Sequence, residues 1–503
     1  MTATLDSALR WWATEQAHSP AIVFAGKALT YAELDRWVTA LAGFLRDRGL
    51  QRGDRVVILA ANSVEWCVLA RSIIRAGGIV APLHARFAGP EIEYLVGHYQ
   101  PRFIFADEPR LVTARQIALP ARTEIYSLST VREQRNYSTT APAFEPSSDD
   151  RVAIIATSGS TARPKGVAFS HRTMLSYVAE FALQEPDCRH AARVFLVAPL
   201  STNAGFVVLT QFLTLGATIY LEEAFEPAVA LRRLLEDRIN VLMGAPIFFE
   251  RIAACADFQA ADLSHLRIAH VGGARVEPKL LAKWMERGAL LRQIYGQTEA
   301  GGTATINTRE CSVSNPEKCG RGGMFTEVCV IDPDGNVCPP HVPGEIVIRG
   351  PAVMVEYWSN PEGTAAAIVD GWLRTGDLGV LDEAGMLTML DRMRDIIISG
   401  GLNISAAEIE RVVSEIPGID EVAVIAAFDE RFGETPLAVI HALDTSVAPR
   451  IVQHCSAQLA DFKVPRYVAI ERNALPRLAT GKIDKPTLRT RYAQAHLHLP
   501  RLR

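Results

Sequence analysis

Hydrophobic and polar residues alternate along the first 300 residues in blocks that predict helices and strands in turn. The segment LTYAELDRWVTALAGFLRDRGL begins with Thr30 and Glu33 in capping-box spacing and continues as an amphipathic pattern to Gly49. The apolar run at residues 55–62 predicts a buried strand, and VEWCVLARSIIRAGGIV predicts a helix, a Gly-Gly stop and another strand. This alternation predicts an α/β fold with parallel sheets covered by helices.

The most apolar stretch, residues 194–221, contains no charged side chain and is long enough to cross a bilayer. Polar and helix-breaking residues interrupt it, among them Pro199, Asn203 and Gln211. We therefore expect a strand, a turn, a helix and a second strand in a buried layer, and no transmembrane segment.

The pattern changes near residue 320. Short strand patterns separated by the turn signals DPDG (332–335) and DEAG (382–385) predict a small antiparallel β subdomain over about 320–390. The later segments DIIIS, AAEIERVVSEI and DEVAVIAAF predict a compact α+β unit, and the polar stretch 130–150 predicts a loop. We therefore expect an N-terminal domain over 1–391, which includes the β subdomain, and a C-terminal domain over 392–503.

Composition narrows the class of protein. The chain has 503 residues, too many for one ordinary domain, and its formal net charge of −4 offers no basic field for nucleic acid. Its eight cysteines are scattered without a CxxC pair, which predicts reduced thiols rather than a zinc site. The first residues show no basic region followed by an apolar core, so we expect a cytoplasmic protein.

The stretch TSGSTARPKGV (157–167) follows a buried strand and has the composition of a phosphate-binding loop. It is not a Walker A loop, because Pro164 stands where glycine is needed and has no N–H to donate. Gly166 stands where the magnesium-binding hydroxyl belongs. Hydroxyls, backbone N–H groups and the Lys165 ammonium could still surround a polyphosphate, but the loop alone is equally compatible with a simple turn.

Four further segments follow it in order: IYGQTEAGG (294–302), WLRTGDLG (372–379), DRMRDIIISGGLNISAAEIE (391–410) and LPRLATGKIDK (475–485). The third-to-last residue of WLRTGDLG, Asp377, follows Thr-Gly, which predicts a turn. Together with the loop, this set resembles the adenylate-forming (ANL) superfamily, which comprises acyl-CoA synthetases, peptide-synthetase adenylation domains and luciferases. The resemblance covers most of the chain and implies a large N-terminal domain and a small, mobile C-terminal domain.

The resemblance also implies two half-reactions, in which a carboxylic acid and ATP give acyl-AMP and pyrophosphate, and a thiol then displaces AMP. ATP, Mg²⁺ and coenzyme A are the implied cofactors and co-substrates, and Glu299 is the implied magnesium ligand. By similarity, the catalytic residues are Lys165, Thr298, Glu299 and Lys482. The implied nucleotide-binding residues are Thr157, Ser158, Gly159, Ser160, Thr161, Gly272, Gly273, Ala274, Tyr295, Gly296, Asp377 and Arg392.

The family's small domain rotates between half-reactions about a hinge, and the matching position here is Arg394. After rotation, Ser399, Gly400 and Gly401 would line the tunnel for the CoA thiol arm, because glycines permit close passage. Lys482 would act only in acyl-AMP formation.

The segment that matches the family's acyl site reads PLSTNAG (199–205), with Ser201 and Thr202 where many relatives have an aromatic residue and a histidine. We expect an open, hydrophobic pocket and, because no lysine or arginine lies there, a medium- or long-chain or bulky cyclic monocarboxylic acid as substrate. The sequence leaves open a carrier-protein acceptor, a non-catalytic nucleotide-binding module and a homodimer. The acyl-pocket residues expected from the resemblance are Ser201, Thr202, Asn203, Gly205, Gly301 and Gly302.

Overall fold

The computed structural model describes residues 3–139, 144–157, 164–186, 191–274, 276–399, 402–442, 444, 447–478 and 481–502, apart from the side chains of Arg394 and Asn403. The chain forms two compact units. The first consists of Met1–Val328 and Val347–Arg374, and the second of Cys329–Ile346 and Thr375–Arg503.

The strands are short, and some central ones in the first unit, such as Ile79–Leu83 and Phe103–Ala106, are apolar and buried along their whole length, as expected for strands buried on both faces. In chain order they are β1 (Pro20–Phe24), β2 (Lys27–Thr30), β3 (Arg55–Leu59), β4 (Ile79–Leu83), β5 (Phe103–Ala106), β6 (Glu124–Ser127), β7 (Arg151–Thr157), β8 (Lys165–Ser170), β9 (Arg193–Leu196), β10 (Thr218–Leu221), β11 (Val241–Gly244), β12 (Ile268–Gly272), β13 (Arg292–Gln297), β14 (Gly302–Ile306), β15 (Glu327–Ile331), β16 (Gly344–Arg349), β17 (Glu356–Tyr357), β18 (Ile368–Val369), β19 (Trp372–Leu381), β20 (Leu387–Arg392), β21 (Ile397–Ser399), β22 (Leu402–Ile404), β23 (Glu421–Asp429), β24 (Gly433–His441) and β25 (Tyr467–Glu471).

Several helices begin at a residue whose side chain caps the first turn, among them α1 (Leu5–Glu15), α2 (Tyr31–Asp47) and α3 (Val64–Arg75). At α2, the Thr30 hydroxyl accepts from the Glu33 N–H and the Glu33 carboxylate accepts from the Thr30 N–H, so the predicted capping box is confirmed. The helices are α1 (Leu5–Glu15), α2 (Tyr31–Asp47), α3 (Val64–Arg75), α4 (Gly89–Tyr99), α5 (Glu108–Gln116), α6 (Ser129–Glu133), α7 (His171–Gln184), α8 (Asn203–Thr214), α9 (Pro227–Glu236), α10 (Pro246–Ala253), α11 (Pro278–Met285), α12 (Arg309–Ser314), α13 (Pro361–Ala367), α14 (Ala406–Ser414), α15 (Ala448–Gln458), α16 (Lys485–Arg491) and α17 (Ala495–His498).

Two large sheets form the framework of the first unit. Over the described residues, one has the strand order β14-β13-β12-β11-β9-β10-β1-β2 and the other β17-β8-β7-β4-β3-β5-β6. The central pairs of both sheets are parallel, and antiparallel pairs occur at their edges. The predicted α/β class with parallel sheets is therefore confirmed.

The apolar stretch at residues 194–221 is divided between β9, α8 and β10, as predicted. α8 is almost entirely buried, which explains its continuous hydrophobicity without a membrane. None of the helices in the described ranges combines the length and the hydropathy needed to cross a bilayer.

A smaller sheet of β15, β16, β19, β18 and β20 occupies the region in which a β subdomain is predicted. The pairs of β19 with β18 and with β20 are antiparallel. The predicted loop at 130–150 is wrong in one detail, because α6 continues to Glu133 and buries Val131.

The end of the chain folds as an α+β unit, as predicted. Its sheet has the order β22-β21-β24-β23, with β25 parallel to β24. α14 and α15 cover one side of this sheet through a core that includes Ile409, Val412 and Ile451. A second cluster, which includes Leu475 and Leu488, covers the other side and holds the segment that carries Lys482.

Candidate active site

The predicted nucleotide-binding residues of the first unit follow the carboxyl ends of parallel strands, which is where ligands bind in α/β sheets. Thr157 ends β7, Gly272 ends β12, and a 3₁₀ turn at Thr298–Ala300 follows directly after β13. The strands end at these positions because each apolar run is followed by a Gly-rich or hydroxyl-rich segment.

The two ends of the phosphate loop lie opposite each other in the β7–β8 ladder, with Thr157 paired to Lys165. A side chain at Gly166 would approach Ile154 Cγ2 to 2.6 Å and Tyr99 Cε1 to 2.8 Å, so this position requires glycine. The structure thus gives a packing reason why the Walker A hydroxyl is absent. Four predicted phosphate-binding residues lie outside the described residues: Ser158, Gly159, Ser160 and Thr161.

Tyr357 connects the two charged residues that are predicted to handle phosphate and magnesium. Its hydroxyl donates a 2.9 Å hydrogen bond to Glu299 Oε1, and Lys165 Nζ lies 4.5 Å from the centroid of its ring. Burial and the Glu299 carboxylate raise the pKa of Tyr357 above its ordinary value, so the phenol stays protonated. The buried Tyr357 side chain therefore contacts the Lys165 ammonium with its ring and the Glu299 carboxylate with its hydroxyl.

The segment 352–358, called here the bracing segment, places Tyr357 by backbone hydrogen bonds. The Trp358 N–H donates to the Gly166 carbonyl at 2.7 Å, and the Met354 N–H donates to the Glu299 carbonyl at 2.8 Å. A Cβ atom at Gly301 would lie 2.4 Å from the Ala352 carbonyl oxygen. The bracing segment therefore contacts both the phosphate-loop hairpin and the turn that carries Glu299.

Glycines allow close backbone approach on the predicted adenine side. A Cβ at Gly272 would lie 2.4 Å from the Ile294 carbonyl oxygen, and one at Gly296 would lie 2.0 Å from that of Gly302. Gly273 has φ +79° and is followed by Ala274. Tyr295 is 6 % exposed, so its predicted stacking on the base remains a prediction.

A buried charged cluster, which the sequence did not reveal, connects Glu185, the residue after α7, to His270 in the middle of β12 and to Arg292 at the start of β13. Glu185 accepts from Arg292 Nη1, and His270 Nε2 lies 3.4 Å from Glu185 Oε1. Burial alone would raise the pKa of Glu185, but His270 and Arg292 outweigh it and lower that pKa. Burial lowers the pKa of His270, so the cluster holds a neutral imidazole beside an ion pair.

In the predicted acyl segment, Ser201 is buried and Thr202 caps α8. The Thr202 hydroxyl accepts from the Gly205 N–H and donates to the Pro199 carbonyl at 2.7 Å. A side chain at Gly205 would collide with the same carbonyl. Asn203 Oδ1 is buried and makes no hydrogen bond within the described part of the chain.

Gly301 and Gly302 both have positive φ, and a Cβ at Gly302 would lie 3.3 Å from the Tyr177 ring. A small cavity next to β14 has both apolar and polar walls, and the hydrophobic acyl pocket expected from the sequence stays a prediction. Its lining includes Phe181, Glu180 and Gln184. Glu180 also accepts from the N–H groups of Phe325 and Thr326.

In the second unit, the two residues predicted to hold ribose face each other. Asp377 on β19 is paired with Arg392 on β20, and Arg392 Nε lies 3.3 Å from Asp377 Oδ1. The predicted turn at Asp377 is wrong, because Gly376 with φ +68° is accommodated inside a continuous strand. Pairing with β20 overrides the local turn signal.

Lys482 lies in a tight turn, in which the Leu478 N–H donates to the Lys482 carbonyl at 2.8 Å. Ser399 ends β21 and is buried. The backbone of Arg394 belongs to the 3₁₀ turn Met393–Asp395, whereas its side chain, Gly400 and Gly401 lie outside the described residues.

Comparison with known proteins decides the family. Residues 9–358 match the model of the AMP-binding enzymes, and residues 408–482 match that of the AMP-binding enzyme C-terminal domain. The chain belongs to the AMP-binding enzyme family. The long-chain-fatty-acid–CoA ligase FadD13 of Mycobacterium tuberculosis is 32% identical over 92% of this chain and 93% of its own.

Further relatives agree with this assignment. Feruloyl-CoA synthase of an Amycolatopsis species is 34% identical over 94% of this chain and 96% of its own. The crystal structure of ATP-bound MatB from Rhodopseudomonas palustris superposes with a TM-score of 0.91 at 29% identity, covering 99% of this chain and 100% of that one. The protein is an acyl-CoA ligase of the adenylate-forming superfamily.

The residues of this AMP-binding enzyme fit ATP and Mg²⁺. Lys165 would supply a cation for phosphate, Gly272 and Gly296 would permit close approach, and the Glu299 carboxylate would offer the oxygen ligand that Mg²⁺ prefers. Sequence reasoning missed Tyr357 and Glu185, since both act through partners that are distant along the chain. The Glu-Tyr-Trp triplet at 356–358 shows no motif or residue spacing that would identify Tyr357 as a site residue.

Proposed function

We propose that this acyl-CoA ligase activates a medium- or long-chain or bulky cyclic monocarboxylic acid and transfers it to free coenzyme A. In the first half-reaction a carboxylate oxygen bonds to the α-phosphorus of ATP, the bond to the β-phosphate bridging oxygen breaks, and pyrophosphate leaves. In the second, the CoA sulfur bonds to the acyl carbon, the acyl–oxygen bond breaks, and AMP leaves.

The observation that carries the proposal is the arrangement of Lys165, Tyr357 and Glu299. The first half-reaction brings an anionic carboxylate to an anionic triphosphate, so charge stabilisation in a fixed geometry is the main catalytic need. Lys165 would restrain the β- and γ-phosphates, and Glu299 would hold Mg²⁺. When bound, Mg²⁺ supplies further positive charge on the phosphate oxygens.

In the second unit, Asp377 would accept hydrogen bonds from the ribose hydroxyls, and Arg392 keeps this carboxylate oriented at 3.3 Å. Lys482 would stabilise charge between the carboxylate and the α-phosphate. A hinge at Arg394, between domains 1–391 and 392–503, would then exchange Lys482 for the Ser399 region. No covalent protein nucleophile is needed, because the acid itself attacks.

The choice of acid rests on the acyl segment and on the relatives. The segment 199–205 contains no lysine or arginine that could pair with a second carboxylate, which disfavours a dicarboxylic acid. The named activities of the relatives concern a long-chain fatty acid and a feruloyl group. We also propose a cytoplasmic location, supported by Cys67, Cys255, Cys338 and Cys455, which form no disulfide within the described part of the chain.

The test is pyrophosphate release over a panel of carboxylic acids, with and without CoA. We expect CoA-dependent AMP formation with at least one fatty or aryl acid. Adenylate formation without any CoA thioester would instead favour a carrier-protein acceptor, and a complete absence of pyrophosphate release would favour a non-catalytic nucleotide-binding module.

The variant Lys482→Ala tests the assigned role of the C-terminal lysine. It is expected to abolish acyl-AMP formation but to preserve thioester formation from supplied acyl-AMP, because only the first step places charge beside this ammonium. Equal loss of both half-reactions would contradict the alternation of domains.

A further inference from the structure

The turn that carries Lys482 is held from its N-terminal side by one carboxylate. Glu421, the first residue of β23, accepts from the Leu475 N–H at 2.6 Å and from Arg477 Nη2 at 2.5 Å. Arg477 Nη1 in turn donates to the Gly481 carbonyl at 2.7 Å. Leu475, Arg477 and Gly481 are thus connected to the edge of the sheet at Glu421.

A second set of contacts holds the turn from its C-terminal side. Lys485, three residues after Lys482, is the first residue of α16, and its Nζ lies 2.8 Å from Glu410 Oε1. Glu410 belongs to α14 and also accepts from the Val424 N–H at 2.7 Å. The Lys485 and Glu410 side chains are only 16% and 19% exposed, so this ion pair is shielded from solvent.

The same lysine reaches the segment in which the hinge is expected. Lys485 Nζ lies 3.8 Å from Asp395 Oδ2, and Asp395 Oδ1 accepts from Arg489 at 2.5 Å. Asp395 directly follows Arg394 and is 12% exposed. α16 is therefore attached by two cations to the first residue after the predicted hinge.

The shielded location explains why these contacts determine position more than stability. Transferring two charges out of water costs about as much free energy as their mutual attraction provides. A buried ion pair therefore adds little net stability, but it restricts the positions of the two side chains. Burial would lower the pKa of Lys485, but Glu410 and Asp395 outweigh it and raise that pKa, so the ammonium remains charged at neutral pH.

We propose that Lys485 is a positioning residue for Lys482, which it holds at a fixed place relative to Asp395 and the hinge. This inference rests on the proposed function, because it takes Lys482 to act in acyl-AMP formation. Since the turn and α16 are fixed to the hinge segment, rotation at Arg394 delivers the Lys482 ammonium to one defined point. If these contacts were lost, the same rotation would bring the Lys482 ammonium to a range of positions.

The test compares Lys485→Met with Arg491→Met, a matched control at the other end of α16. Arg491 pairs with Glu471 at 2.5 Å and contacts neither Glu410 nor Asp395 among the contacts the structure describes. Both half-reactions are measured separately, as pyrophosphate release with acid and ATP and as thioester formation from supplied acyl-AMP. Thermal unfolding is recorded for each variant, and Arg489→Met provides an independent loosening of Asp395.

Lys485→Met is expected to lower kcat for acyl-AMP formation about tenfold or more, because small misplacement of a catalytic group is costly. The KM for ATP and the thioester step should stay unchanged, Arg489→Met should follow in the same direction, and Lys485→Arg should restore part of the rate. Arg491→Met should leave both steps as in the wild type.

Three outcomes overturn the inference. If Lys485→Met behaves like Arg491→Met in an active enzyme, Lys485 does not position Lys482. If both half-reactions fall to the same extent, the role is structural only; a lower unfolding temperature alone does not decide this, because Lys485→Met leaves the Glu410 carboxylate without its shielded counter-charge. If the wild-type protein releases no pyrophosphate with any acid, the proposed function itself fails, and the inference fails with it.

Discussion

Replacing Tyr357 in two steps separates its two contacts. Tyr357→Phe removes the hydroxyl that donates to Glu299 Oε1 at 2.9 Å and keeps the ring below Lys165 Nζ. Tyr357→Leu removes both contacts. Tyr126→Phe is the matched control, because the Tyr126 hydroxyl donates to Glu124 at 2.8 Å on an exposed strand of the same unit.

The expected magnitude follows from the two contacts. A hydrogen bond to a charged group contributes about 1.5–3 kcal/mol, and water that reaches the half-buried Glu299 favours the lower figure. Loss of about 1.5 kcal/mol corresponds to a roughly tenfold fall in kcat/KM for ATP. Loss of the ring beneath Lys165 should add about 0.5–1.5 kcal/mol, a further two- to tenfold fall in Tyr357→Leu.

The assay is pyrophosphate release at saturating acid and Mg²⁺ with ATP varied. Because burial and Glu299 raise the pKa of Tyr357, its phenol stays protonated at the assay pH, and Tyr357→Phe should change the rate without changing the shape of the pH profile. If Tyr357→Phe matches the wild type and Tyr126→Phe, the hydroxyl does not orient Glu299, and the reasoning is refuted.

Three other variants test the site and its support. Asp377→Asn should raise the KM for ATP about tenfold and reduce discrimination against deoxy-ATP analogues, because a carboxylate accepts ribose hydroxyl bonds better than an amide does; unchanged discrimination in pyrophosphate release would contradict the ribose assignment. Glu185→Gln leaves the Arg292 guanidinium buried without its counter-charge and should lower the free energy of unfolding by about 3 kcal/mol in urea titrations, whereas a loss below about 1 kcal/mol would show that the ion pair is unimportant. Burial lowers the pKa of folded His171 from 6.5 to about 4, so the unfolded chain binds the extra proton below pH 6.5. The free energy of unfolding should therefore fall by about 3 kcal/mol from this group between pH 7 and pH 4, and His171→Asn should flatten that part of the curve; an unaltered slope would place the proton uptake elsewhere.

Elements with strong local signals could be predicted from the sequence. The capping box of Thr30 and Glu33 defines the start of α2, and at α3 the Ser63 hydroxyl accepts from the Trp66 N–H. Asp377 shows where such signals fail, because Thr-Gly-Asp is typical of a turn but lies here in a ten-residue strand. The partner strand β20 supplies the hydrogen bonds that hold it extended, and this pairing is not encoded in the neighbouring residues.

The site residues likewise fall into those that the sequence predicts and those that only the fold reveals. Lys165, Glu299, Asp377 and Lys482 belong to recognisable motifs, so their roles could be proposed from residue order alone. Tyr357 could not be predicted, since its role arises from an antiparallel pairing between β17 and β8 that joins distant parts of the chain. Lys485 lies within a quoted motif, but its contacts with Glu410 and Asp395 come only from the fold.

The bracing segment also connects the two sheets that carry the residues proposed to bind one triphosphate. Lys165 begins β8 in one sheet, whereas Glu299 follows β13 in the other, and neither strand pairs with the other. Backbone N–H groups of Val355 and Trp358 bond to β8, and that of Met354 bonds to Glu299. These bonds involve backbone atoms only, so the separation of the two strand ends does not depend directly on the side chains of this segment, whereas Tyr357 contacts both Lys165 and Glu299 through its side chain.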